Sequence, residues 1–131
     1  MTSFRSSILA IALLAAPAAV LADEDHPALP PTVDAFHTLL AKDWHAKEGP
    51  ERLQSACANV EDYKALSAKI IKRPVPDKVE GEQWKAAATA MNDASTALGA
   101  YCASGNAGNV TSGLTALHDR FHDLVKLVAH K

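Results

Sequence analysis

The strongest constraint in this 131-residue chain is a repeat of apolar positions in alternating steps of four and three. Trp84, Ala88, Met91, Ser95, Leu98 and Cys102 follow it, and Val110, Leu114, Leu117, Phe121, Leu124 and Val128 repeat the rhythm. Such spacing returns side chains to one stripe of a helix, the seam along which helices pack. Only partner helices can cover stripes of this length. No segment alternates at period two, so strands are not expected.

Two further helical stretches precede these. Thr32 offers an N-cap to a helix whose stripe runs through Val33, Phe36, Leu40 and Trp44, and Gly49-Pro50 closes it. Pro50 suits the first position of the next helix, where no N–H donor is needed. That stretch continues through Leu53, Cys57, Val60, Tyr63, Leu66 and Ile70 until Arg73-Pro74-Val75-Pro76 stops it. The join near Asn59 leaves open whether it is one helix or two. Gly105-Asn106-Ala107-Gly108-Asn109 forms a turn, with Asn109 the expected N-cap of the last helix. Four amphipathic stretches with short connections predict an all-α, up-down-up-down four-helix bundle over residues 32–131.

Residues 1–22 read as a cleavable signal peptide. Arg5 supplies the positive n-region, Ile8–Ala16 the apolar core, and Val20-Leu21-Ala22 the small-residue cleavage site. Pro17 interrupts the apolar run well short of the roughly 20 residues a membrane span requires. Residues 23–31, with Asp23-Glu24-Asp25-His26-Pro27 and Pro30-Pro31, form an extended polar arm. The expected compartment is the periplasm or the cell exterior, with no membrane span left after cleavage. There, Cys57 and Cys102 read most simply as a disulfide, because no CxxC or zinc-type spacing is present. It would close a loop worth about 4 kcal/mol of chain entropy and act as a structural staple.

The chain carries a formal charge of −2, and removal of Arg5 with the leader makes it one unit more negative. No basic surface is indicated, which excludes a nucleic-acid partner. Nor does the chain show a Gly-rich phosphate loop or a Ser-His-Asp setting. The six histidines are the residues that argue for chemistry.

His118 and His122 stand four apart, which puts two imidazoles on one helix face about 6 Å apart at Cβ, near enough to chelate one ion. His37 and His45 lie on the first helix, the antiparallel neighbour of the last in a simple bundle. Matching midpoints sets His37 level with His122 and His45 nearer His118. Asp34 and Asp119 share those faces. A metal site of His37, His45, His118 and His122 is therefore predicted, suited to Zn, Cu(II) or Ni. Met91 and two paired cysteines leave too few soft donors for Cu(I) carriage. Histidines that are merely solvated or hydrogen-bonded are the competing reading, in a bundle that contacts an envelope protein partner instead.

The HxxxH spacing is also that of zinc proteases, but Asp119 occupies the place of their catalytic Glu, so no enzyme is predicted. Trp44 and Trp84 sit at seam positions and are expected to fill the core.

The exported, Ala-rich four-helix layout with Trp84 on the third helix and Arg120-Phe121 on the last resembles the periplasmic cytochrome c′-like bundles. The similarity runs from Thr32 to His130. It implies a four-helix fold and a haem on the last helix. That family attaches haem through CxxCH, whereas this chain has Leu117-His118 and no cysteine there, so covalent attachment does not carry over. Non-covalent haem held by His37 and His122 is what remains of that implication.

Overall fold

A computed structural model describes residues 28–129, so the expected signal peptide and all but the end of the arm lie outside the described residues. Five α-helices make up the fold: α1 (Pro31–Trp44), α2 (Pro50–Ala58), α3 (Val60–Lys72), α4 (Gly81–Ser104) and α5 (Ala107–Ala129). No strand occurs among the described residues. Helix α4 packs most extensively on α5 and α3, and α1 packs on α3 and α5, with α2 wedged against its neighbours at one end.

The periodic stripes become the core. Trp84, Ala88, Met91, Ser95 and Leu98 of α4 face Val110, Leu114, Leu117, Phe121, Leu124 and Val128 of α5, all buried. Buried Gly113 permits close approach at this seam, since a Cβ there would sit 2.8 Å from Tyr101 Cδ2. The buried serine hydroxyls donate within their own helices. Ser95 Oγ donates to the Met91 carbonyl, while Ser67 Oγ donates to that of Tyr63 and accepts from Asn92 Nδ2.

Two caps differ from expectation. Helix α1 starts two residues early because Pro31 fits its first turn, with Pro30 in place of Thr32 as N-cap. Thr32 Oγ1 instead accepts from Arg73 Nη1 at 2.5 Å, tying the start of α1 to the end of α3. Helix α5 starts at Ala107, and Asn106 Oδ1, not Asn109, caps it by accepting the Asn109 N–H at 3.0 Å. Gly105 takes the left-handed conformation that ends α4 (φ 71°), as expected of a helix terminus followed at once by another helix.

The second stretch divides at Asn59, which closes α2 and opens α3. Facing this junction is Asp43, fully buried on α1. Its carboxylate accepts hydrogen bonds from Ser55 Oγ (2.6 Å), Asn59 Nδ2 (3.0 Å) and Tyr63 Oη (2.5 Å). A carboxylate out of water costs several kcal/mol unless its oxygens are bonded. Here α2 supplies the first donor, the helix junction the second and α3 the third. Burial, then the hydrogen bond to Asp43, pushes the Tyr63 phenol far above its ordinary range, so it remains a donor.

Cys57 and Cys102 form the disulfide, with Cα atoms 5.6 Å apart, joining α2 to the end of α4. Reducing it, or making Cys57→Ala/Cys102→Ala, is expected to cost about 4 kcal/mol in urea unfolding. Asp43→Ala leaves the buried Tyr63 hydroxyl and the half-buried Ser55 and Asn59 donors without their shared acceptor and should cost about 3 kcal/mol by the same measurement. A loss below about 1 kcal/mol would contradict the role given to Asp43.

Candidate metal centre

Helices α1 and α5 run side by side, and the groove between them collects every histidine predicted for the site. His37, Leu40, Ala41, Trp44, His45, His118, Phe121 and His122 line one cavity of about 280 Å³. On α5 the core stripe passes through Leu117 and Phe121, so His118 and His122 fall just beside it and are half-buried. On α1 the stripe passes through Phe36 and Leu40. His37 is consequently half-buried, and His45, the residue that ends the helix, is exposed.

The α5 pair is drawn together. His118 Nε2 and His122 Nε2 stand 3.0 Å apart, with ring planes inclined by 70°. One nitrogen donates a proton and the other accepts it. Asp119 Oδ1 lies 3.8 Å from His118 Nδ1, which favours a proton on Nδ1 and leaves the Nε2 lone pair facing His122. The two Nε2 atoms thus face each other across an N–H···N hydrogen bond beside the cavity.

Trp44 fixes the first of these rings. Its indole lies on the His118 imidazole with centroids 3.8 Å apart and planes within 10°. Arg52 of α2 places its guanidinium over the same indole, 4.6 Å from the centroid. The Arg52 side chain is 12% exposed, its nearest carboxylate is Glu48 at 3.7 Å, and its Nε has no hydrogen-bond partner. The guanidinium is therefore held largely by packing and by the ring face. Trp84 fills the core as expected. Trp44 packs against the edge of that core, half-buried, because α1 ends with it and its ring lies on His118.

The remaining two histidines come less close. His37 lies parallel to Phe121, with planes within 3° and centroids 5.3 Å apart. His45 lies near enough to His118 for its charge to be felt. Among the described residues, no group of three or more His, Cys, Asp or Glu is gathered tightly enough to hold an ion. The four predicted ligands line one cavity, and the two on α5 are hydrogen-bonded to each other.

Burial holds the His118 imidazolium below the ordinary histidine pKa, and the charges of His122 and His45 act in the same direction. Asp119 opposes them. His118 is therefore neutral at neutral pH, the state in which an imidazole can bind a metal.

No family of known proteins, no curated protein and no solved structure matches this chain.

Because the folded pKa of His118 lies below its unfolded value of 6.5, the unfolded chain binds more protons between the two. Stability therefore rises with pH across that interval. Lowering the pH of metal-free protein from about 7.5 to about 5.5 should lower Tm, and His118→Gln should make the fall shallower. An unchanged slope in that variant would remove His118 as the source.

Proposed function

We propose that this protein binds a divalent transition metal, Zn, Cu(II) or Ni, and acts as an exported carrier, buffer or sensor rather than a catalyst. The observation that carries the reading is the 3.0 Å convergence of His118 Nε2 and His122 Nε2 on one helix face. Two nitrogens at metal–nitrogen distances of about 2.0–2.1 Å can share an ion from that separation. His45, exposed at the end of α1 and coupled to His118, is placed to swing in as a further ligand. His37 lines the same cavity as a ligand reserve, and water completes the shell.

The imidazole-rich lining supports an ion: His37, His45, His118 and His122 all border the same cavity of about 280 Å³. The export reading rests on residues 1–22 as a cleavable signal peptide and agrees with the Cys57–Cys102 disulfide. In this reading α2 and α3 together form one bent member of an up-down-up-down four-helix bundle, shared with the cytochrome c′-like proteins as an architecture.

Titration calorimetry with Zn, Cu(II) and Ni salts should give micromolar or tighter binding of one ion per chain. His118→Ala/His122→Ala should weaken it by about 100-fold or more, with His45→Ala showing a smaller loss. Binding that survives the double change refutes the assignment. If no ion binds at all, the envelope-partner reading takes its place.

A further inference from the structure

A second groove, of about 610 Å³, opens at the end of the bundle where α2 begins and α4 gives way to α5. Pro50 and Leu53 of α2, Ala107 and Val110 of α5, and both Cys57 and Cys102 line it. The disulfide is thus reached from the groove, and each of its cysteines is half-buried rather than buried. Gly49 and Gly105, in the same lining, have open space where a side chain would stand, which leaves room for another molecule to approach. We infer that Cys57–Cys102 is a thiol–disulfide exchange site, opened by a dithiol reductant through this groove, and that its opening releases α2 from the bundle.

Helix α2 is the element that depends most on the bond. It has nine residues, fewer than the roughly 12–15 at which an isolated helix becomes even marginally stable. Ala56 is its one buried residue, against five on α4 and eight on α5. Gly49, at φ 138°, and the Asn59 junction bound it on either side and can absorb a rotation. After reduction its polar ties are those of Ser55 and Asn59 to Asp43, with Arg52 packed on Trp44. The conformational entropy of the freed residues opposes these ties and favours local opening.

The fold also selects the class of reductant. When a partner sulfur joins one cysteine, the displaced thiol begins next to it, across a Cα separation of 5.6 Å, and attacks back. A monothiol is expelled again. A dithiol escapes this, because its own second sulfur competes from within the same molecule. Both cysteines also lie in the last turn of their helices, where the dipole disfavours a thiolate, so neither leaves readily.

The exchange balances in two steps. A partner thiolate attacks one Sγ, the cysteine S–S bond breaks, and its electron pair goes to the other Sγ, which takes a proton. The partner's second thiolate then attacks its own sulfur in the mixed disulfide, and the remaining cysteine leaves and is protonated. Two electrons and two protons pass to the chain, and the dithiol becomes a disulfide.

Dithiothreitol added to the full oxidised chain under native conditions tests this. Thiol alkylation and mass spectrometry should show a reduction rate unchanged by urea below the unfolding transition. Glutathione at equal thiol concentration should reduce at least about 10-fold less. Ala107→Trp, which fills the groove from an exposed position, should slow dithiothreitol at least about 10-fold. Hydrogen exchange of the reduced chain should bring α2 within about 10-fold of unprotected rates, with α4 and α5 at least about 100-fold slower. A rate that climbs steeply with urea shows that only unfolding exposes the bond, and overturns the inference. An unchanged rate in Ala107→Trp overturns the groove as the route, and equal reduction by glutathione overturns the dithiol. Equal loss of protection in α2, α4 and α5, or a reduced chain without helical circular dichroism, makes the bond a plain staple and overturns the release of α2.

Discussion

Asp43 is the interaction on which the arrangement of this molecule depends. Its carboxylate is fully buried and takes its hydrogen bonds from Ser55, Asn59 and Tyr63. Those donors belong to α2, the junction and α3, so one acidic side chain holds α1 against both pieces of the divided stretch. Such a group is stabilising only when all its partners are in place. Ser55, Asn59 and Tyr63 are spaced four apart and keep to one face across the junction, so all three donors reach the carboxylate.

The candidate site inherits its geometry from that anchor. Trp44 is the next residue along α1, so fixing Asp43 inward fixes where the indole can go, and it goes onto His118. Arg52 reaches the same indole from α2, whose position Asp43 also sets through Ser55. Two histidines on α5 converge by helical spacing alone. What keeps one of them from rotating away comes from α1 and α2. A change at Asp43 would therefore be felt at His118 without either residue touching the other.

Much of this was legible in the sequence where a period or a breaker residue carried it. The stripes of α4 and α5 became the core residue by residue, Pro50 and Arg73-Pro74 bounded helices as read, and the cysteines paired. The convergence of His37, His45, His118 and His122 on one groove also follows from antiparallel neighbours and matched midpoints. The first helix shows what periodicity could not decide. After Val33, Phe36 and Leu40, a step of four leads to Trp44 and a step of three to Asp43. Hydrophobicity favours the tryptophan, but the fold buries the aspartate, because donors arriving from two other helices remove the cost of doing so. That decision is long-range, and no local signal records it. The caps at Asn106 and Pro30 differ for smaller reasons: Asn106 lies three residues before Asn109 and accepts its N–H, and Pro31 suits the first turn of α1.

The central claim is that His118 and His122 together bind a metal through their Nε2 atoms. X-ray absorption at the metal edge, on protein carrying one equivalent of bound ion, tests it most directly. The account predicts at least two imidazoles in the first shell at about 2.0 Å, falling to none in His118→Ala/His122→Ala. A shell of oxygen atoms alone in the unaltered protein would contradict it.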